Sequence, residues 1–489
     1  MPDPKSISLA FSSHKCGLWW SPRLGGPLVA ALSVRLLMLI LAEASLAHQG
    51  IDAFTRGDTP GYIESGRNLL LHGNFAAGGI PEIGRTPGYP LFLALVSLPG
   101  STIAALAQVI LSSLTVVLVW RLARAVFDDD RIALVSAWIF AFEPLSIFNC
   151  VLLQAETLFL VLFLLSLERL VQFLRDRNLR VLVEAGLWLA AATFVRPVTY
   201  YLPVALALGL FFVLVRVPVL RWKAPVVMLV TVLPWLAVWQ IRNWAETGYS
   251  GYSAISVTNL YYWEAAEVIS KIEHKPFFQV QREWGAGSMQ NYIAIHPEQA
   301  GWTEAQRLAF LQSETSRILH KHFGTFLLTQ LEGSVKVVIS PGTSDLMSQM
   351  ALVDAGEVQL MREGIHDQGP LQAALRFAKT HLMTGVLTAV LEILLLGTYL
   401  FTLKGIISGR APSAYIWLLL GVTLYFIAVS GGGQAGGRYR LPVMPIVCVF
   451  AAAGIYRSKI IAHWMSNGVS FVKASGDYPG RSHNSDQLR

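Results

Sequence analysis

Long apolar runs recur along almost the whole chain, and short polar turns separate them. A helix needs about 20 apolar residues to cross the hydrocarbon core of a membrane. The pattern therefore predicts an all-α polytopic membrane protein with a bundle of about 10 transmembrane helices, within a range of 10–12. The predicted spans lie at residues 27–47, 101–120, 132–152, 156–174, 181–195, 199–215, 224–241, 380–403, 412–430 and 441–460.

The first run has a second interpretation. Ser45-Leu46-Ala47 resembles the cleavage site of a secretory signal peptide. However, Arg35 interrupts the run and nine further runs follow it, so we expect an uncleaved membrane anchor.

Composition agrees with a membrane protein and excludes several other classes. Of the 489 residues, 54% are hydrophobic and 14% are charged, against a usual charged share of about 25%. So few charges cannot coat several soluble domains, and the composition also excludes a disordered or collagen-like chain. The three cysteines (Cys16, Cys150 and Cys448) lie far apart, so they predict neither a disulfide framework nor a Cys-x-x-Cys metal site.

The distribution of basic residues predicts the orientation. Cytoplasmic loops of membrane proteins carry an excess of Lys and Arg. If the N-terminus is cytoplasmic, every inside turn carries at least two basic residues, as with Arg121, Arg124 and Arg131. We therefore expect both termini in the cytoplasm. No Asn-x-Ser/Thr sequon occurs in the chain, which favours a prokaryotic inner membrane over the secretory pathway.

Two long segments fall on the extracytoplasmic side in this topology. They divide the chain into an N-terminal transmembrane catalytic module (1–241, with the first loop at 48–88), a second loop region (242–379), C-terminal helices (380–463) and a cytoplasmic tail (464–489). Residues 302–322 have apolar positions at helical spacing and predict an amphipathic helix. Phe323–Ile339 is apolar but contains Glu332 and Lys336, so we expect an interfacial helix there and not an eleventh span.

The first loop contains the candidate catalytic carboxylate. Asp58 precedes Thr59-Pro60 at the start of a predicted helix, a position where aspartate commonly acts as an N-cap. The same carboxylate also lies at the membrane face near Arg85 and two Gly-Tyr turns, so it is a candidate general base. Arg85 itself could belong to a rigid turn with its side chain reaching the interface.

Two further acids lie near the outer ends of predicted spans. Carboxylates at membrane depth are costly and usually face a cavity or a charged partner. Glu156 could instead compensate the dipole at a helix N-terminus, and Glu143 before Pro144 could be an ordinary loop residue.

Several arginines also lie at outer ends of spans. Arg438 and Arg440 stand in the glycine-rich turn GGGQAGGRYRLP, against the general charge asymmetry. Arginine forks suit phosphate oxygens, and glycines let the backbone approach a ligand closely. Contact with lipid headgroups is the alternative. With Arg196 and Arg242, these side chains predict a face that suits an anionic lipid phosphate.

The ordered set of motifs resembles the membrane glycosyltransferases of the GT-C superfamily. The similarity is greatest to the protein-mannosyltransferase and lipid A aminoarabinose-transferase branch. It extends over about residues 28–455. The matching segments are Asp58–Tyr62, Arg67–Phe75, Arg85–Leu93, Glu156–Leu160, Arg196-Pro197, Arg242-Asn243 and Arg438–Pro442. One departure is Thr59, which stands where eukaryotic protein mannosyltransferases have a second acid.

The resemblance implies transfer of a sugar from a polyprenyl-phosphate donor to an acceptor hydroxyl at the outer face of the membrane. Asp58 would be the base, and the donor phosphate would be held by Arg438 and Arg440, with Arg196, Arg242 and Arg85 as further ligands. A single displacement would invert the anomeric carbon. The acceptor could be a lipid, a glycan or a protein, and no nucleic acid is expected.

The remaining candidates concern positioning. Glu156 and Glu143 would position the acceptor or a divalent cation, although no cofactor is required by the chemistry. Tyr62, Tyr89 and Tyr261 are candidates for an aromatic platform under a sugar, and Tyr261 could equally belong to an interfacial aromatic belt.

Three rival classes remain open from the sequence. A polymerase or ligase of lipid-linked glycans would share the donor, but its catalytic groups should concentrate in a late loop. A secondary transporter would be expected to carry broken helices and charges at mid-membrane depth. The function of a non-catalytic lipid-binding protein would not depend on Asp58.

Overall fold

The computed structural model describes residues 21–47, 58–98, 100–343 and 381–456, with residues 346, 364, 372, 375 and 376 between the last two ranges. The predicted all-α class is confirmed, because helices make up nearly all of the regular structure in these ranges. The described sheet structure is one two-residue pair, Ala76–Ala77 (β1) with Ile80–Pro81 (β2). The ends of the chain, with the predicted cytoplasmic tail, lie outside the described residues.

The N-terminal half of the chain consists of helices that follow one another closely. Pro22–Leu24 and Pro197–Thr199 are short 3₁₀ turns. The α-helices are α1 (Gly25–Ala47), α2 (Thr59–His72), α3 (Gly88–Val96), α4 (Ser101–Phe127), α5 (Asp130–Ala141), α6 (Pro144–Asn149), α7 (Glu156–Asp176), α8 (Leu179–Val195), α9 (Leu202–Val213) and α10 (Pro218–Thr247).

The second loop region begins with short helices and ends with two longer ones. The short elements are α11 (Ile255–Asn259), a π-helical turn (Leu260–Ala265), α12 (Ala266–Glu273), α13 (Phe277–Glu283), α14 (Met289–Ile295) and a 3₁₀ turn (Pro297–Gln299). The longer ones are α15 (Glu304–Lys321) and α16 (Phe323–Ile339). The predicted amphipathic helix is confirmed: α15 starts in a capping box at Thr303 and buries Leu308, Leu311 and Ile318.

The C-terminal part contains α17 (Leu382–Ile407), α18 (Ser413–Val429), a 3₁₀ turn (Gly437–Arg440) and α19 (Met444–Tyr456). Among the described residues, five helical stretches are long and apolar enough to cross a membrane: Pro22–Ser45, Ser101–Phe127, Glu156–Asp176, Pro218–Thr247 and Leu382–Ile407. The protein is therefore a multi-pass membrane protein, and the number of ten spans stays a prediction.

Several other predicted spans form helices of fewer than 20 residues in the structure. The run 132–152 is divided into α5 and α6, because Pro144 starts a new helix and the Glu143 carboxylate caps it by accepting from the amides of Leu145 and Ser146. The run 199–215 forms α9, which has 12 residues. Runs 181–195 and 412–430 form helices of 17 residues each.

A buried arginine holds the N-terminal helices together. Arg35 on α1 has no exposed surface. Its Nε donates to Ser112 Oγ on α4 at 2.8 Å, and its Nη2 donates to Ser146 Oγ on α6 at 2.7 Å. Its Nη1 donates to the carbonyl oxygen of Ala141 at the end of α5 at 2.9 Å. A charge in an apolar interior must be satisfied by hydrogen bonds, so this one residue fixes the relative positions of four helices.

The predicted topology can be tested by labelling exposed positions in a cysteine-free variant. Arg67 on α2 and Ser313 on α15 are exposed and lie in the two predicted outer loops, whereas the exposed Asp176 lies in a predicted inner turn. We expect Arg67→Cys and Ser313→Cys to react with an impermeant maleimide in intact spheroplasts. Asp176→Cys should react only after permeabilisation, and its labelling in intact cells would contradict the orientation.

Candidate active site

The Asp58 side chain does not cap helix α2. Asp58 occupies the N-cap position, but its carboxylate makes no capping hydrogen bond. Instead Oδ1 accepts a hydrogen bond from Arg85 Nη2 at 2.9 Å, and the side chain is 56% exposed. The N-cap interpretation therefore does not explain this residue, and an exposed carboxylate remains beside a guanidinium.

Arg85 is held from two sides. Its Nη1 donates to Glu82 Oε2 at 2.9 Å, while Glu82 Oε1 accepts from the amides of Gly84 and Arg85. The guanidinium crosses the first turn of α2, where a Cβ at Gly61 would lie 2.8 Å from Arg85 Cζ. Gly61 thus leaves the space through which Arg85 reaches Asp58.

The two partners precede the same tetrapeptide. Thr-Pro-Gly-Tyr follows Asp58 at 59–62 and follows Arg85 at 86–89. Both threonines are buried, and the rings of Tyr62 and Tyr89 meet edge to face with centroids 5.0 Å apart. An acidic and a basic residue that each precede the same tetrapeptide are a signal in the sequence that could have predicted this pairing.

A second carboxylate–arginine pair lies nearby at greater depth. Glu156 Oε1 is 3.1 Å from Arg196 Nη1, and the Glu156 side chain is only 6% exposed. Thr59 Oγ1 donates to the carbonyl oxygen of Leu153 at 3.1 Å, which ties the start of α2 to the turn before Glu156. This contact brings the Asp58 and Glu156 segments together although they are far apart in the chain.

Tyr62 lies between the two pairs. The pKa of Tyr62 is raised to about 12, chiefly by burial and in part by the carboxylates of Asp58 and Glu156, whereas the guanidiniums of Arg196 and Arg85 act to lower it. Its hydroxyl is therefore protonated at neutral pH and is suited to donate a hydrogen bond. Tyr89 is fully buried, and its hydroxyl donates to Gln108 Oε1 at 3.0 Å, so its role is to support the site and not to form an open platform.

The two arginines of the glycine-rich turn have different surroundings. Arg438 is half-buried and lies close enough to Glu156 to interact with it electrostatically. Arg440 is 3% exposed, and its Nη1 donates to the carbonyl oxygens of Val337, Val338 and Ser340 at 2.7–2.9 Å. These are carbonyls at the end of α16, so Arg440 stabilises a helix C-terminus. The structure thus disagrees with its assignment to the phosphate.

The glycines of this turn contact protein and not open space. A Cβ at Gly432 would lie 1.8 Å from Glu264 Oε2, and a Cβ at Gly333 on α16 would lie 2.0 Å from Gly432 N. Gly432 also has a positive φ of 85°. The glycine run therefore lets the turn pack tightly on α16, which differs from the ligand approach expected from the sequence.

Three other predicted site residues have structural surroundings. Arg242 donates to the carbonyl oxygens of Glu82 and Phe75, so it fastens the first loop to α10 and does not face Glu156. Glu143 caps α6, as described above. Tyr261 is 6% exposed and packs against Trp284 with centroids 4.6 Å apart, so it is a core residue of the second loop region.

The described carboxylates do not form a metal cluster. Within the described ranges, no group of three or more His, Cys, Asp or Glu side chains could hold a metal ion. Asp58 and Glu156 each face an arginine, an arrangement that suits a negatively charged ligand better than a cation. We therefore derive no step through a metal.

Two contributors to the site were missed from the sequence. Glu82 orients Arg85, and its position three residues before the arginine was the available signal. Gln108 on α4 connects Tyr89 to the carbonyl oxygen of Leu152. Nothing in the sequence marks that single amide in an apolar run as part of a site.

Comparison with known proteins supports the resemblance. Residues 86–240, about a third of the chain, match the family described as dolichyl-phosphate-mannose-protein mannosyltransferase. The resemblance to the protein-mannosyltransferase branch is confirmed. The matched segment contains Glu156 and Arg196 but not Asp58 or Arg438. No curated protein matches the chain in sequence.

Two solved structures have chain paths similar to that of this protein. One is the archaeal oligosaccharyltransferase AglB from Archaeoglobus fulgidus, in complex with an inhibitory peptide and a dolichol-phosphate. Its identity is 16% and its TM-score 0.44, with 92% of this chain and 52% of that chain covered. The chain thus spans about half the length of AglB. The other is ArnT from Cupriavidus metallidurans bound to undecaprenyl phosphate (15% identity, TM-score 0.35, 93% of this chain and 81% of that chain covered).

The different surroundings of Arg438 and Arg440 predict different effects on stability. Arg440→Ala leaves the carbonyls at the end of α16 without their buried donor, and we expect a loss of about 2–3 kcal/mol. Arg438→Ala should cost clearly less, because its side chain is half-buried. Thermal unfolding of both variants in nanodiscs measures the difference, and equal losses would contradict the assignment.

Proposed function

We propose that the protein is a membrane glycosyltransferase that moves a sugar from a polyprenyl-phosphate donor to an acceptor hydroxyl at the extracytoplasmic face. The observation that carries the proposal is the arrangement at the outer ends of the helices. There, an exposed carboxylate (Asp58) and a set of guanidiniums surround Tyr62. The match to a family named for dolichyl-phosphate-mannose supports the donor class.

The chemistry requires a base for the acceptor and cations for the leaving group. Asp58 takes the proton of the acceptor hydroxyl, whose oxygen attacks the anomeric carbon as the bond to the phosphate oxygen breaks. Asp58 Oδ1 accepts from Arg85, and among the described residues Oδ2 accepts no hydrogen bond, so this oxygen can face the acceptor. Attack opposite the leaving phosphate inverts the anomeric configuration.

The departing lipid phosphate gains charge as the bond breaks. Arg438 is the proposed principal phosphate ligand, because its side chain is half-buried and lies beside Glu156. Arg196 contributes the second positive charge, and Glu156 orients it. Preorganised cations of this kind stabilise the charge that develops in the transition state. The acceptor can be a lipid, a glycan or a protein.

The catalytic groups belong to the proposed N-terminal module, except for Arg438. Residues 1–241 supply the base Asp58 together with Arg85 and Arg196, and the C-terminal part of the chain supplies Arg438. With both termini in the cytoplasm, this site faces the periplasm of a prokaryotic inner membrane.

The role of Asp58 can be tested with Asp58→Asn. The side chain is exposed, so the variant should fold with nearly the wild-type melting temperature. An amide cannot accept the proton, and loss of a general base typically costs about 10²–10⁴ in rate. Turnover is measured in nanodiscs with labelled polyprenyl-phosphate sugars and a membrane extract that supplies the acceptor.

A matched control is available for this substitution. Asp130 is 59% exposed and pairs with Arg124 at 2.5 Å, so Asp130→Asn removes an equally exposed carboxylate–arginine pair far from the site. It should leave turnover unchanged. Asp58→Asn turnover within about threefold of wild type would reject the base role, since such a loss is below the usual range.

The phosphate ligand can be tested by binding alone. Arg438→Ala should weaken binding of undecaprenyl phosphate by about tenfold or more, because a hydrogen bond to a charged group is lost. Arg438→Lys should restore binding only in part, since lysine lacks the planar fork. Arg67→Ala, an exposed arginine on α2, serves as the control for general charge. Unchanged affinity in Arg438→Ala would move the phosphate to Arg196.

A further inference from the structure

A cleft of about 720 Å³ opens beside the candidate site. One wall is the turn from Pro197 to Tyr201, and the opposite wall is α15 with the start of α16. The floor is the segment 248–253, which follows α10. None of the candidate site residues described above lines this cleft.

The cleft is lined by aromatic rings, neutral hydrogen-bonding groups and a few aliphatic side chains such as Leu260 and Leu319. The rings include Tyr200, Tyr249 and Tyr252, and the amides and hydroxyls include Gln240, Gln312 and Ser316. No Asp, Glu, Lys or Arg is among the described residues that line it, and they include one histidine, His320. Aromatic faces with amides and hydroxyls match the alternating C–H faces and hydroxyl groups of an uncharged sugar.

Two buried hydroxyls in this cleft lack a partner. Tyr252 and Thr315 are each 5% exposed, and both line the cleft. Within the part of the chain that the structure describes, neither Tyr252 Oη nor Thr315 Oγ1 makes a hydrogen bond. Buried polar groups are normally satisfied, so two orphaned hydroxyls in one cleft point to a hydroxyl-bearing ligand.

A second cleft in the molecule has an almost wholly apolar lining. It measures about 350 Å³ and lies between α9 and α18, where every lining residue is apolar or glycine. Leu206, Phe212 and Val422 are examples. The contrast in lining favours a sugar over an acyl chain for the larger cleft.

The floor of the larger cleft is bonded to the segment that carries Arg85. Ala254 N donates to the carbonyl oxygen of Ile83 at 2.8 Å, and Ser253 Oγ donates to that of Gly84. On the other side, Pro197 directly follows Arg196. A molecule in the cleft would therefore lie next to both carboxylate–arginine pairs.

We propose that this cleft binds an uncharged, hydroxyl-rich sugar unit of the acceptor, with Tyr252 and Thr315 as hydrogen-bonding residues. The assignment to the acceptor rests on the proposed function, whereas the binding of a neutral saccharide does not. If the bound sugar belongs to the acceptor, the acceptor is a molecule that carries a glycan beside the hydroxyl to be modified.

Tyr252→Phe and Thr315→Val test the proposal, because they remove the orphaned hydroxyls and keep the shape. The probes are neutral trisaccharides of glucose and of N-acetylglucosamine, with a galacturonic acid trisaccharide as the charged comparison. Binding to the full chain in nanodiscs is followed by saturation-transfer NMR. We expect a neutral trisaccharide to bind, and each substitution to weaken it about tenfold without lowering the melting temperature.

The matched control is Tyr292→Phe. Tyr292 is also 5% exposed, but its hydroxyl donates to Gln299 at 2.7 Å and it does not line the cleft. This variant should lose stability and keep saccharide binding.

Three results would overturn the proposal. The first is that neither neutral trisaccharide binds, and the second is that the affinity for the trisaccharide is unchanged in both cleft variants. The third is that native mass spectrometry finds a lipid retained by the wild-type protein and lost from Thr315→Val. Undecaprenyl phosphate binding in the same samples separates this question from the proposed function. Saccharide binding without phosphate binding would reject the transferase and keep the cleft.

Discussion

Every charge buried in this apolar bundle must have a partner, and the partners come from distant parts of the chain. Arg35 joins α1 to α4, α5 and α6 through hydroxyl and carbonyl groups. Arg121 on α4 lies 2.8 Å from Glu168 on α7. Glu156 pairs with Arg196, and Arg440 closes the end of α16. An unpaired charge in such surroundings is strongly unfavourable, so these contacts fix how the helices are arranged.

The same constraint sorts the arginines by role. A guanidinium whose donors are taken up by buried carbonyls, as in Arg440 and Arg242, stabilises the fold. Arg85 faces two carboxylates at the protein surface, and Arg438 is half-buried beside Glu156. Both side chains keep some exposed surface, so a ligand can reach them. Fewer arginines are thus available to a ligand than the sequence suggested.

The site and the neighbouring cleft share one supporting segment. Within residues 82–85, the Glu82 carboxylate orients the arginine that meets Asp58, and the Glu82 carbonyl oxygen accepts a hydrogen bond from Arg242. The carbonyl oxygens of Ile83 and Gly84 accept the hydrogen bonds that hold the floor of the cleft. A sugar in the cleft would therefore contact an element that also positions the proposed base. This continuity is the physical reason to treat both as parts of one acceptor site.

The sequence by itself determined the helical membrane class, the amphipathic character of α15 and the family resemblance, because these depend on hydrophobic periodicity and on local motifs. It also indicated Asp58, Glu156 and Arg196 as residues of interest. Only the tertiary structure decided that Asp58 pairs with Arg85 and does not cap α2, that Arg440 binds carbonyls, and that Tyr261 is buried. The residue type alone does not show whether an arginine or a tyrosine faces a ligand or the core. The choice is made by the atoms that distant segments bring within hydrogen-bonding distance, and spacing along the chain does not encode those contacts.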